Sequence, residues 1–296
     1  MLKYSVLSTL LALVISVCIP FNDVNASELT EHEHKQRIVA LSPHIVEMLF
    51  EIGAGDHIVA TVDYADFPEQ ALSIPKVGGF YGVQIEKIIA LQPDLVIAWK
   101  TGNQDSDIAK LQQFGIKVVF SQPKQLTDIA NEFNMLGKLT GHQVEATQKA
   151  KAYLTLLNQI TRDYESKQSL PSFYQLWSEP MMTINRNTWI HQLMQRCGAS
   201  NVFAQNTADY PQISIENVML AQPQLIIIPD ERTDKPQPTI NWQQWPEIPA
   251  VKHQRFISVN ADLLHRFSFR MLDGLADMCQ QIDNVRKTIN AVNQQQ

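Results

Sequence analysis

Beyond residue 26 the sequence is poor in the features that mark several large classes of protein. Of three cysteines only Cys197 and Cys279 lie there, and neither has a histidine at ligand spacing, which argues against a cysteine-based metal centre or a catalytic thiol. Basic side chains are not in excess: over the whole chain Asp and Glu outnumber Lys and Arg by 30 to 24, so nothing favours nucleic acid or an anionic membrane surface as partner. No later segment is apolar enough to span a bilayer. Gly-x-Ser-x-Gly elbows, phosphate loops and His-Glu-x-x-His zinc motifs are absent as well. An exported hydrolase-type enzyme is thereby left with Ser42, His44 and the His265-Arg266 pair as its candidates, and Ser42-Pro43 already reads as a helix N-cap followed by proline in the first turn.

The long apolar run that does exist stands at the start. Lys3 precedes Val6 to Ile19, and Val24-Asn25-Ala26 supplies small residues, the pattern of a secretory signal peptide over residues 1–26 cleaved after Ala26. The run is shorter than the roughly 20 residues of a spanning helix, and Val17 is too bulky before Cys18 for a lipoprotein signal. Export removes Lys3 and Asp23 and leaves the net charge at −6. In an oxidising compartment an even pair of distant cysteines is expected to be bridged, so a Cys197–Cys279 disulfide is predicted. Residues 27–36 read as a flexible tail in which His32 and His34 offer no more than adventitious metal affinity.

After the tail the chain repeats one grammar. Arg37–Leu41, Ile58–Val62, Leu95–Trp99 and Lys117–Phe120 are short apolar or β-branched runs separated by helical periodicity, the signature of parallel strands with crossover helices. The same alternation returns in Phe173–Trp177, Leu225–Ile228 and Arg255–Val259, with a helical pattern over Thr188–Cys197. The expected fold is α/β: two similar lobes, residues 37–141 and 169–296. Gln143–Lys167 contains no Gly or Pro and places Ala146, Ala150, Tyr153, Leu154, Leu157, Ile160 and Tyr164 at helical spacing. It predicts one long rigid helix linking the lobes across residues 142–168, about 37 Å long at 1.5 Å per residue.

One unit occurs twice. VQIEKIIALQPDLVIAW begins at Val83 and ISIENVMLAQPQLIIIP at Ile213. Each reads as a short helix stopped by Gln-Pro, because a residue before proline is driven from the helical region, followed by an apolar strand. Glu86 and Glu216 fall in the first turn, where a carboxylate is favoured by the helix dipole. Capping explains either glutamate alone; the recurrence of one exposed acid on each lobe is what raises a functional reading.

RIVALSPHIVEMLFEIGAG, YADFPEQA and GVQIEKIIALQPDLVIAWKTGN together resemble the periplasmic cobalamin-binding proteins of bacterial cobalamin ABC importers, over most of residues 37–283. The strand and helix grammar is shared with siderophore- and haem-binding relatives. The Tyr-x-Asp-aromatic-Pro-x-Gln-Ala stretch, the Ala-Trp-Lys-x-Gly-Asn end of the first repeat and the Asp-x-x-x-Arg stretch near the C-terminus are more specific. The resemblance implies a non-enzymatic, monomeric periplasmic protein that holds cobalamin (vitamin B12) between its lobes as transported ligand rather than cofactor. It delivers that ligand to a homodimeric permease carrying ATPase subunits, and is not itself inserted in the membrane. Glu86 and Glu216 would meet arginines on the two permease subunits. The ligand-binding residues implied are Tyr64, Phe80, Trp99, Met182, Tyr210 and the run Asp262, Leu263, Leu264, His265 and Arg266. Phe80 and Tyr210 stand where the family pattern has tryptophan, and Met182 where it has phenylalanine.

The chemistry of these side chains suits a broad apolar plate rimmed with amides. Such a ligand needs flat walls and a few polar groups; Tyr64, Phe80, Trp99 and Tyr210 offer the first, Met182 a softer contact, and Asp262 and Arg266 an acceptor and a donor. A haem or iron-siderophore ligand is the alternative within the same superfamily. Haem would call on Tyr64 or His265 as axial ligand, and an anionic siderophore on Arg266, Arg186 and Lys100. Ordinary core packing of Trp99 and a surface Asp262–Arg266 ion pair are the plainer readings of those residues.

Overall fold

The structure is a computed structural model that describes residues 35–164, 166–230 and 238–294. The expected signal peptide with its cleavage site, the tail as far as residue 34, and His32 and His34 lie outside the described residues.

The first lobe runs through β1 (Ile38–Ala40), α1 (Pro43–Glu51), β2 (Ile58–Thr61), β3 (Gly78–Gly79), β4 (Gly82–Val83), α2 (Ile85–Ala90), β5 (Leu95–Trp99), α3 (Asp105–Gln113) and β6 (Val118–Ser121). Helices α4 (Asp128–Thr140) and α5 (Gln143–Thr161) come next. The second lobe contains β7 (Leu170–Tyr174), β8 (Trp177–Ser178), β9 (Met181–Met182), α6 (Trp189–Arg196), β10 (Ala199–Asn201), α7 (Ile215–Ala221), β11 (Leu225–Asp230), α8 (Pro249–Lys252), β12 (Phe256–Asn260), α9 (Ala261–Leu264) and α10 (Met271–Asn293).

Each lobe is built on a four-stranded parallel sheet, ordered β2-β1-β5-β6 and β10-β7-β11-β12. The two orders are the same once strands are numbered within each lobe, second-first-third-fourth, so the chain reverses direction across the sheet between the first and third strands in both. The repeated sequence unit is the crossover into that third strand: α2 leads to β5 and α7 to β11. The glutamines before proline, Gln92 and Gln222, both leave the right-handed region, with φ of 44° and 48°.

Two-sided burial explains the unbroken apolar strands. In the first sheet Ile38, Ala40, Leu95 and Ile97 face a central cluster, whereas Val39, Leu41, Val96 and Ala98 face an outer one against Ile85, Ile88, Ile108 and Leu111. In the second, Leu225, Ile227 and Tyr174 point to the same central cluster, and Phe173 and Ile226 to an outer one with Val218 and Trp242. Side chains alternate across a strand, so each sheet needs cover on both faces. The central cluster is completed by α4, α5 and α10, through Phe133, Tyr153 and Met278 among others; each large side chain sealed there contributes about 1.5–3 kcal/mol.

The linking helix is shorter than expected. Helix α5 ends at Thr161, 19 residues long, about 28 Å at 1.5 Å per residue. Helical spacing persists to Tyr164, but Lys167 is drawn aside, pairing with Asp283 at 2.7 Å and lying over the Tyr164 ring. The inward stripe, Ala146, Ala150, Tyr153 and Leu157, is as expected. Gly137 permits α4 to cross close beside it, since a Cβ there would come within 2.4 Å of Ala146 Cβ. The first strand of the second lobe begins at Leu170, not Phe173, and leaves the sheet after Tyr174; Trp177 opens the antiparallel hairpin β8–β9 instead. Cys197 and Cys279 form the expected disulfide, with Cα atoms 4.5 Å apart, tying the end of α6 to α10. Among the described residues no helix is long and apolar enough to cross a membrane.

Candidate functional site

In open parallel sheets a crevice forms beyond the carboxyl ends of the strands, at the point where the strand order reverses. Here those ends are Ala40 and Trp99 in the first sheet and Tyr174 and Asp230 in the second. Trp99, last residue of β5, is linked to the end of β1 through Asn103: its N–H donates to Asn103 Oδ1 at 2.7 Å, and Asn103 Nδ2 donates to the Leu41 carbonyl at 2.9 Å. Its ring meets His44 and Phe267 edge-on, with centroids 5.6 Å away in each case. Gly102 makes room for it, because a Cβ there would fall 1.8 Å from Trp99 Cε3.

Tyr64 comes after β2 in a turn with φ of 64° and is 55% exposed. Phe80 stands at the tip of the β3–β4 hairpin beside Tyr81; the two are 69% and 97% exposed, a large apolar area left to solvent. In the second lobe Met182 lies in β9, paired with Trp177 and bridged to Gln212. That bridge brings alongside it the loop of Tyr210, itself half exposed; partial burial and then Asp209 push the Tyr210 hydroxyl above its ordinary pKa. The residues expected to bind ligand therefore fall into two groups, one at the carboxyl end of each sheet. A cavity of about 310 Å³ opens at the end of the second sheet, lined by Gln175, Pro229, Asp230, Trp242 and Ser258 among others, with none of the residues expected to bind ligand in its lining.

The run from Asp262 to Arg266 departs from expectation in two places. Leu264 is fully buried in the central core and is not a ligand wall: α9 turns it inward against the position of Gly274. Arg266 is not a free donor. Its Nη1 donates to Glu47 Oε1 at 2.9 Å and Asp66 Oδ1 at 2.7 Å, and its Nη2 to Asp262 Oδ1 at 3.0 Å. The Asp262–Arg266 pair is thus part of a mostly buried cluster rather than a surface ion pair. Asp262 keeps 45% of its side chain exposed, and Leu263 is half-buried. His265 shares a hydrogen bond with the Tyr174 hydroxyl at 2.9 Å. Burial lowers its pKa to about 4, with Asp262 pulling the other way.

His44, one of the candidates for an enzyme, lies in the first turn of α1 and is only 3% exposed. Nδ1 meets Ser42 Oγ at 2.6 Å and Nε2 meets Ser121 Oγ at 3.1 Å, and burial drops its pKa to about 3. Ser42 occupies the N-cap position with Pro43 next, yet its hydroxyl serves His44 rather than the helix backbone. The imidazole is thus held neutral between two hydroxyls. Glu86 and Glu216 are exposed in the first turns of α2 and α7. The Ser214 hydroxyl and then its own backbone N–H hold Glu216 below the usual carboxylate range, as a capping acid should be.

Four side chains of the site were not singled out by sequence reasoning: Glu47, Phe267, Ser268 and Arg270. Glu47 is 2% exposed among apolar neighbours on α1, and an acid in the apolar stripe of a helix was the available signal, since a buried charge requires partners. The alternation in Arg266-Phe267-Ser268-Phe269-Arg270 was the other.

Two sheets of one topology, facing a shared core and presenting exposed aromatics at their carboxyl ends, define a two-lobed binding protein. The chain matches the family model described as "Periplasmic binding protein" over residues 38–263, and it belongs to that family. It is 32% identical over 257 residues to the vitamin B12-binding protein of Vibrio parahaemolyticus, covering 86% of this chain and 92% of that one. It is 34% identical over 253 residues to that of Vibrio campbellii, covering 85% and 91%. Among solved structures, the periplasmic vitamin B12-binding protein BtuF of Vibrio cholerae superposes with a TM-score of 0.78 at 34% identity, over 85% of this chain and 98% of that one. The haem-binding protein RhuT from Roseiflexus shares the fold alone, with a TM-score of 0.71 at 19% identity over 84% and 98%.

Proposed function

We propose that this protein captures cobalamin in the periplasm, between its two lobes, and hands it to the permease of an ABC importer. The observation that carries the proposal is the agreement between vitamin B12-binding relatives at 32–34% identity over some 85% of the chain and aromatic walls at the carboxyl ends of both sheets. Tyr64, Phe80, Trp99 and Tyr210 supply flat apolar area for a corrin face, and Met182 a yielding contact. Asp262 accepts from the amide rim, His265 stands beside it, and Leu263 lies at the border. Arg266 contributes through the cluster that aims it. The ligand is cargo, not cofactor, and no reaction is assigned.

Residues 1–26 act in this reading as the export signal, residues 37–141 and 169–296 as the working lobes, and residues 142–168 as the segment between them. Glu86 and Glu216, one on each lobe at equivalent places of the repeat, meet a two-fold permease; such charge pairs orient docking and speed encounter more than they add affinity. Haem is the second reading, favoured by one detail: the Tyr174–His265 pair offers an imidazole at the carboxyl end of the second sheet. Equilibrium dialysis against cyanocobalamin, monitored at its visible absorption, tests the first. Retention at one equivalent per chain is expected; free passage of cyanocobalamin with retention of haemin would overturn it.

A further inference from the structure

The segment between α9 and α10 is an arm of the second lobe laid on the first. Its residues alternate. Arg266, Ser268 and Arg270 turn to one side and converge on a single carboxylate, that of Glu47 on α1: Oε1 accepts from Arg266 Nη1 at 2.9 Å and Arg270 Nη1 at 3.1 Å, and Oε2 accepts from Ser268 Oγ at 2.6 Å. Phe267 and Phe269 pack on aromatic rings instead. Phe267 lies between Trp189 of the second lobe, 4.5 Å away, and Trp99 of the first, 5.6 Å away. Phe269 meets Phe133 on α4 and Tyr153 on α5. Arg270 is also stacked over Phe67 at 3.7 Å, and Arg266 reaches Asp66 two residues beyond Tyr64.

We infer that Glu47 is the positioning residue that sets the width of the cleft: three donors of one lobe close on one acid of the other, and the arm they belong to starts at His265, directly after the helix that carries Asp262, and touches Trp99 in its middle. Both oxygens of Glu47 are engaged, so the arm has one way of lying on the first lobe. A carboxylate 2% exposed among apolar neighbours has no water to replace those donors. Separating the lobes would strip Glu47 of all three donors at once, which keeps the empty protein near the geometry of the occupied one. Preorganisation of this kind lengthens ligand residence chiefly by cutting what must be ordered on binding. The inference rests on the proposed cobalamin-binding function for the identity of the site, but the width of the cleft is measurable without any ligand.

The test places spin labels on the two lobes, at Lys110→Cys on α3 and Lys252→Cys on α8, both exposed, with the native disulfide intact. In ligand-free protein one narrow distance distribution is expected. Glu47→Ala should broaden and lengthen it, and should raise the dissociation rate of cyanocobalamin at least tenfold, whereas Glu47→Gln, which keeps the shape and an acceptor oxygen, should fall between. Should Glu47→Ala fail to fold, Ser268→Ala combined with Arg270→Gln removes two of the three donors and is expected to broaden the distribution likewise. An unchanged distribution and dissociation rate in a folded variant overturn the inference and leave Glu47 as a stabilising residue only. If the parent binds no cyanocobalamin, the ligand reading fails while the distance arm still decides the role of Glu47.

Discussion

Glu47 Oε1 accepts a hydrogen bond from Arg266 Nη1 at 2.9 Å across 219 residues of sequence, and the two side chains are only 2% and 10% exposed. A buried pair of this kind adds modestly to stability while intact, because desolvation offsets attraction, but breaking it from one side strands the other charge. Removal of Arg266 leaves Glu47 with Arg270 and Ser268, and Asp66 without its 2.7 Å guanidinium contact. Arg266→Ala is therefore expected to cost about 3 kcal/mol, read as a lowered urea midpoint with unchanged slope. A loss below about 1 kcal/mol would match an exposed pair instead.

His44 makes stability depend on pH. Burial holds its imidazole at a pKa of about 3, below the ordinary 6.5, so the native state stays neutral while the unfolded chain takes up a proton below pH 6.5. Stability present above pH 6.5 is lost as pH falls toward 3, about 2 kcal/mol of it between pH 7 and pH 5. Buried Glu132 works in the opposite sense, since its raised pKa lets the native state hold a proton at a pH where the unfolded chain does not. Urea unfolding at both pH values checks the assignment: in His44→Gln the difference between pH 7 and pH 5 should shrink by about 2 kcal/mol. An undiminished difference would place the sensitivity elsewhere.

Gly102 reports on Trp99. Because a Cβ at residue 102 would sit 1.8 Å from the indole, Gly102→Ala should turn the ring away from His44 and Phe267, shift tryptophan emission and weaken cyanocobalamin binding at least tenfold. Retained affinity with a shifted spectrum would remove Trp99 from the ligand wall.

Symmetric docking makes a separable claim. Glu86→Ala combined with Glu216→Ala should leave ligand affinity within twofold of the parent, since both acids are exposed on helix first turns away from the arm. Cobalamin uptake by cells carrying the double variant should fall at least fivefold. Normal uptake would return both glutamates to capping alone.

Much of this architecture is legible in the sequence where local chemistry decides. Continuous apolar strands, the Gln-Pro stops and the repeated crossover unit arise from periodicity and backbone restriction, and the disulfide from compartment and cysteine count. What escaped was decided at long range. Strand β10, Ala199–Asn201, has no apolar run and is a strand because it pairs with β7. Lys167, just beyond the end of α5, is held by Asp283, more than a hundred residues later. Helix α10, 23 residues long, has a broad mixed face that no single stripe announces. In the site, aromatics at strand ends could be named one by one, and Glu47 could be marked as an odd acid in an apolar stripe, but its role could not be read. Its meaning lies in three donors of the other lobe, visible only once the chain has closed on itself.

The most direct test of the central claim is isothermal titration of the purified protein with cyanocobalamin, repeated with haemin and with a ferric siderophore. Saturable heat is expected with cyanocobalamin at one site per chain, lost or weakened at least tenfold in Trp99→Ala, with no comparable heat from the other two. No heat with cyanocobalamin, together with tight binding of haemin or the siderophore, would contradict it.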